Sequence, residues 1–221
     1  VKADFFARNG FVRSGDLVFD VGVRDGKVTR EFLELGATVV CVEPKPEHVE
    51  QMRAIFGEHI TVVEAAVMDE TGEGVLYERA RKFSATMRPD LYWPQSGGEA
   101  DEFSPSRTVA TVTLDELVAR FGFPTFIKLD IEASEYWALK GLTYPVPALC
   151  FEFGSSYIEE AYKCVELLGA DYVFNYVEGH HGDWMSYWAP ANDFTIDLPE
   201  KDERDKWTWG NVFARRVDET D

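Results

Sequence analysis

The run Leu17-Val18-Phe19-Asp20-Val21-Gly22-Val23-Arg24-Asp25-Gly26 reads as a short buried strand that breaks into a glycine turn. A helix-period segment follows at 27–35, with Val28, Phe32 and Leu35 on one face and Gly36 to end it. Working outward, 38–43 is a second apolar strand, and Pro44 and Pro46 open a helix whose inner face is Val49, Met52, Ile55 and Phe56. Gly57 closes that helix, and 60–63 is a third strand. Strand, helix, strand, helix, strand in under fifty residues predicts a parallel sheet with crossover helices. Upstream, the first 15 residues hold a short helical piece with Phe5 and Phe6, then a turn at Gly10.

The alternation resumes downstream. Thr113-Leu114-Asp115-Glu116 predicts a capping box before a helix carrying Leu117, Val118 and Phe121. Then come a strand at 126–129, a helix at 134–140 and a strand at 149–153. Ser156 and Glu159 suggest a second capping box, on a helix stopped by Gly169, and 172–177 with 211–215 read as a final strand pair. Two stretches interrupt the pattern, at about 70–112 and 178–209. The first has strand-like runs at 75–78 and 108–112; the second holds His180, His181, Trp184 and Trp188, with Trp207 and Trp209 at its end. Insertions of that length are more often lids or binding loops than padding. The expectation is one α/β domain over 1–221, doubly wound and mostly parallel, with both insertions attached to it.

The chain has 221 residues, 40 acids and 22 bases, for a formal charge of −18. Phosphate backbones and anionic membrane surfaces are repelled by that balance, so neither nucleic acid nor membrane is an expected partner. Cys41, Cys150 and Cys164 show no metal-binding spacing. Cys41 and Cys150 lie in apolar strands, as small hydrophobes do. With no secretory leader pattern and no run of ~18–20 apolar residues, the expected setting is cytoplasmic.

Ligands of an open parallel sheet bind beyond the carboxyl ends of its strands, where the winding reverses. Gly22 and Gly26 allow a sharp turn and close backbone approach there, although the full GxGxxG pattern is absent. A carboxylate at Asp20 would oppose a dinucleotide's pyrophosphate. It would favour the ammonium and sulfonium of S-adenosyl-L-methionine. Glu43, at the end of the second strand, suits the two ribose hydroxyls, and Ala65-Ala66 leaves room for an adenine plane. The plainer reading makes Asp20 a helix cap and Glu43 a solvated strand end.

Val18-Phe19-Asp20-Val21-Gly22, Gly26, Thr29 and Val42-Glu43-Pro44 together resemble the opening motifs of the FkbM family of methyltransferases. The likeness continues in Thr113-Leu114-Asp115-Glu116-Leu117, in Ile127-Lys128-Leu129-Asp130-Ile131-Glu132-Ala133-Ser134-Glu135, and in Leu139-Lys140-Gly141. Glu152 and Phe213-Ala214-Arg215 also fit, so the resemblance spans about 15–216. It implies a class I, Rossmann-like, seven-stranded sheet with the last strand antiparallel, and S-adenosylmethionine-dependent O-methylation of a small molecule such as a sugar or polyketide-type product. Cofactor contacts would fall on Asp20, Val21, Gly22, Gly26, Glu43, Pro44, Ala66 and Asp130. Two positions depart from the family pattern: Arg24 stands where an asparagine is usual, and Ala133 where a glycine is usual.

The expected catalytic acids are Asp130, as base or acceptor anchor, and Glu132, which shares its side if the chain stays extended. Glu135 reads equally well as a helix-start acid. Lys128 reads as a structural partner for an acid. Asp130 and Glu152, at adjacent strand ends, would be the pair to hold Mg²⁺, but no metal is expected, hydrogen bonding of Glu152 being the simpler role. His180 or His181 would supply a base only as a minority reading, the tryptophans suit ring stacking and core packing equally, and the charged run at 200–206 is a solvated face. A nicotinamide-type oxidoreductase and a catalytically silent adenosyl-binding module are the alternatives.

Overall fold

A computed structural model of the chain describes residues 4–79, 85–91, 103–179, 182–197 and 208–217. Its main sheet follows from the strands read above: β1 (Leu17–Val21), β2 (Thr38–Val42) and β3 (Ile60–Val63), then β8 (Phe126–Leu129), β9 (Ala148–Gly154), β10 (Tyr172–Glu178) and β12 (Trp209–Arg216). Their order is β10-β12-β9-β8-β1-β2-β3, with the two-residue strand β11 (Ala189–Pro190) added beside β10. Pairing is parallel from β3 to β9, and β12 runs antiparallel to both β9 and β10. The expected seven strands therefore gain an eighth, because part of the second insertion pairs along the outer edge of β10.

Strands buried on both sides carry apolar residues of either parity. Phe19, Val21, Val40 and Val42 pack against α4 (Leu114–Phe121), α5 (Glu135–Lys140) and α6 (Ile158–Leu168). Val18, Val39, Cys41 and Phe126 face the other way, onto α1 (Asp4–Arg8), α2 (Lys27–Glu34) and α3 (Pro46–Phe56). The chain winds outward from β1 to β3 and returns to place β8 on the other side of β1. The reversal therefore lies between β1 and β8.

The first insertion is a sheet of its own: β4 (Ala66–Val67), β5 (Gly72–Arg79), β6 (Ala85–Thr86) and β7 (Phe103–Val112), in the order β4-β7-β5-β6. Two caps behave differently. Thr113 Oγ1 accepts the Glu116 N–H at 3.0 Å, as its capping box predicts. The box expected at Ser156 does not form, because Tyr157 occupies the cap position and makes no side-chain cap bond. The Tyr157 hydroxyl donates to Glu152 instead. Among the described residues no helix is long and apolar enough to cross a membrane.

Candidate active site

The turns after β1, β2 and β8 meet at the reversal and are stitched together by backbone. Gly22 donates to the Val42 carbonyl at 2.9 Å, and the Asp130 N–H donates to the Val21 carbonyl at 3.0 Å. Gly22 adopts φ +83°, and a Cβ there would lie 1.8 Å from the Asp130 carbonyl oxygen. Glycine is required at this position by the neighbouring strand end. Gly26, also left-handed, would drive a Cβ into Phe56 and Met52 of α3. Helix packing therefore constrains this glycine.

Asp20 lies one step below the rim. It is 1% exposed, and its Oδ2 accepts the Thr29 hydroxyl at 2.6 Å. Its other oxygen has no hydrogen-bond partner among the described residues. Asp20 is opposite Lys128 in the β1–β8 register. Burial pushes the Asp20 carboxyl above its usual range, while Lys128 and the Thr29 hydroxyl oppose that shift.

Glu43 follows β2 and binds both turns. Its Oε2 accepts the Arg24 N–H and its Oε1 the Lys45 N–H, each at 3.1 Å, with His48 Nδ1 3.3 Å from Oε1. Each carboxylate oxygen has two lone pairs, so one site per oxygen is still available for a hydroxyl donor after the backbone bonds. Pro44 is half-buried beside it. Ala66 stands in β4, where it packs with Leu76 and Val109 of the small sheet.

On the other side of the reversal, Lys128 Nζ donates to Asp130 Oδ2 at 2.8 Å, with the lysine side chain 5% and the aspartate 22% exposed. Burial would lower the Lys128 ammonium, but Asp130 and Asp20 outweigh it and hold the group above its ordinary value. The chain does not stay extended past Asp130. Glu132 and Ala133 both take left-handed conformations, at φ 56° and 72°. Glu132 therefore leaves the alternation that would have set it beside Asp130. Two successive non-glycine residues in this region signal local strain held by the surrounding fold.

Behind this turn, Glu135 Oε1 accepts the Ile131 N–H at 2.9 Å. Burial pushes the Glu135 carboxyl up to about 8 despite that bond, and Asp130 and Glu132 add to the rise. Glu152, 8% exposed, accepts the Tyr157 hydroxyl at 2.8 Å. Burial, then Asp130, Glu132 and Glu135, raise it well above the carboxylate range. Lys128 already occupies an oxygen of Asp130, and no group of three acids, histidines or cysteines among the described residues is arranged for a metal ion.

The small sheet is fastened on both sides of the reversal. Lys45 bonds Glu78 of β5 at 2.5 Å, and Arg107 of β7 holds Glu47 of α3 at 2.8 and 3.2 Å. Thr86 of β6 meets Ser134, just before α5, at 3.3 Å. Sequence separation hides these ties, since nothing local in Thr86 or Arg107 marks its partner. The tryptophans divide. Trp184 and Trp188 pack with Phe5, Phe11 and Phe213 on the α1 side, and the Trp184 indole N–H donates to Asn9 at 3.0 Å. Trp209 opens β12 opposite Gly154, at the carboxyl end of β9. His180, His181, Trp207 and the run at 200–206 lie outside the described residues.

A family model described as the methyltransferase FkbM domain matches residues 20–184. No curated protein matches the chain. Among solved structures, an rRNA methylase from Streptococcus thermophilus superposes with a TM-score of 0.51 at 9% identity, covering 98% of this chain and 94% of that one. An O-methyltransferase from Bacillus cereus in complex with SAH superposes with a TM-score of 0.50 at 10% identity, covering 97% and 80%. At such identities the likeness speaks for the class I fold.

Proposed function

This chain belongs to the FkbM methyltransferase family, and from that premise we propose that it methylates a hydroxyl of a small molecule, such as a sugar or polyketide-type product, using S-adenosylmethionine. The observation that carries the cofactor reading is the pair of acids at neighbouring strand ends, Glu43 with lone pairs to spare and Asp20 with a buried oxygen left unpartnered. Such acids suit two ribose hydroxyls and a positively charged methionyl group, and they repel a pyrophosphate. The nicotinamide alternative is therefore not favoured.

Held by Glu43 and Asp20, the donor would supply an electrophilic methyl group on a sulfonium. The protein's part is to position, exclude water and take the hydroxyl proton. Alignment of two reactants is worth about 7–11 kcal/mol, and a placed base about 10²–10⁴-fold. Asp130 suits the second role: Lys128 fixes Oδ2, and Oδ1 has no hydrogen-bond partner among the described residues. Glu132, turned out of register with Asp130, suits a supporting contact to the acceptor. The net charge of −18 again argues for a small acceptor over a nucleic acid.

Calorimetry with S-adenosylmethionine tests the site. Asp20→Ala and Glu43→Ala are each expected to weaken binding at least tenfold, and unchanged affinity in both variants would refute the assignment.

A further inference from the structure

Lys128 is the one described cation among the buried polar residues where β1 and β8 separate, and the methyl-transfer chemistry above gives it no proton to move. We propose that Lys128 is a positioning residue of the donor site, whose ammonium ties the carboxyl ends of β1 and β8 together and fixes Asp130 with one oxygen turned free. The inference rests on the methyltransferase reading and adds a residue to it.

Three observations support it. The ion pair to Asp130 is short, 2.8 Å, and almost dry, with Lys128 5% exposed. The strand register sets Lys128 directly beside Asp20, whose second oxygen is buried and unpartnered. Asp20 lies within β1 and Asp130 directly follows β8, so a single cation stands beside acids from both sides of the reversal. Burying a lysine is costly unless it is paired, and a pair with no further role is often replaceable by apolar residues without loss. Here replacement would leave two carboxylates across one strand pair with no cation beside them.

The surrounding groups set the sign of the effect. Asp20 on β1 is also faced by Thr29 and Glu31 of α2 and by Cys41 of β2. Asp130 faces Glu132, Glu135 and Glu152, and Cys150 of β9 is opposite Lys128. The described neighbours are thus neutral or acidic. Without the ammonium, one acid must bind a proton to stay buried. The affected group is then protonated in the folded state above its unfolded range, so stability declines as pH rises.

The test titrates S-adenosylhomocysteine into the wild-type protein, Lys128→Met and Lys128→Arg by calorimetry at pH 6, 7 and 9, with thermal unfolding alongside. Lys128→Met is expected to bind at least tenfold more weakly at pH 7 and to lose Tm further by pH 9. Lys128→Arg should bind within threefold of wild type at every pH. Should Lys128→Met fail to fold, the double variant Lys128→Met/Asp130→Asn should regain a cooperative transition, because it removes one of the stranded charges. Wild-type affinity in Lys128→Met, a Tm loss equal at all three pH values, or a double variant no more stable than Lys128→Met would overturn the proposal. A wild-type protein that does not bind S-adenosylhomocysteine would instead refute the methyltransferase site itself.

Discussion

At their amino ends β1, β8 and β9 present Val18, Phe126 and Ala148 to the α1–α3 side. Two residues later the same strands present Asp20, Lys128 and Cys150, and two residues beyond those come Gly22, Asp130 and Glu152. The lower region is dry and aromatic: Phe126 has Phe6, Phe11, Phe32 and Phe213 around it, with ring centroids 5.4–6.4 Å away. The upper region is charged and partly strained. The contrast teaches that the lower half supplies stability, which the upper half draws on to keep buried acids and left-handed turns in place.

That division can be broken from either side. The largest stability loss is expected from Phe126→Ala, roughly 3–5 kcal/mol by chemical unfolding, from lost burial and the cavity left. S-adenosylhomocysteine affinity of the folded fraction should stay within threefold of wild type. Gly22→Ala comes next, at roughly 3 kcal/mol, since a methyl there collides with the Asp130 carbonyl and also meets an unfavourable φ. It should abolish cofactor binding as well, where Phe126→Ala does not.

Glu135→Gln sharpens the contrast through pH. With the folded carboxyl pushed up to about 8 from its ordinary 4.5, the protonated form is the one folding favours. Its stabilising contribution is full below about 4.5 and declines as pH rises through 8. The glutamine retains an acceptor for the Ile131 N–H and cannot ionise. Thermal unfolding should therefore show the variant more stable than wild type at pH 9, with the difference vanishing near pH 4. The smallest effect concerns Arg24, exposed and left-handed at φ 48°. Arg24→Asn, the residue usual in the family, should add about 0.5 kcal/mol by equilibrium unfolding, because asparagine tolerates that conformation better.

The lower half was legible in the sequence because burial leaves a periodic trace. Strands β1, β2, β3, β8 and β9, the α4 capping box and the final strand pair are all readable from short apolar runs and turn residues. The acids at Asp20, Glu43 and Asp130 stand out for the same reason, as breaks in that pattern. What stayed hidden is non-local or conformational. The left-handed turn at Glu132-Ala133 removes the alternation that would pair Glu132 with Asp130. The eighth strand rests on two residues of pairing, and Tyr157 takes a cap position that Ser156 was expected to command.

The account rests on a donor held between Glu43 and the Asp130 turn, and a crystal structure of the protein with S-adenosylhomocysteine tests it most directly. The ribose hydroxyls are predicted within hydrogen-bond distance of Glu43 and the thioether sulfur above the β8 end, beside the free oxygen of Asp130. A nucleoside lodged away from the β1–β8 reversal, or a crevice that stays empty at saturating ligand, would contradict it.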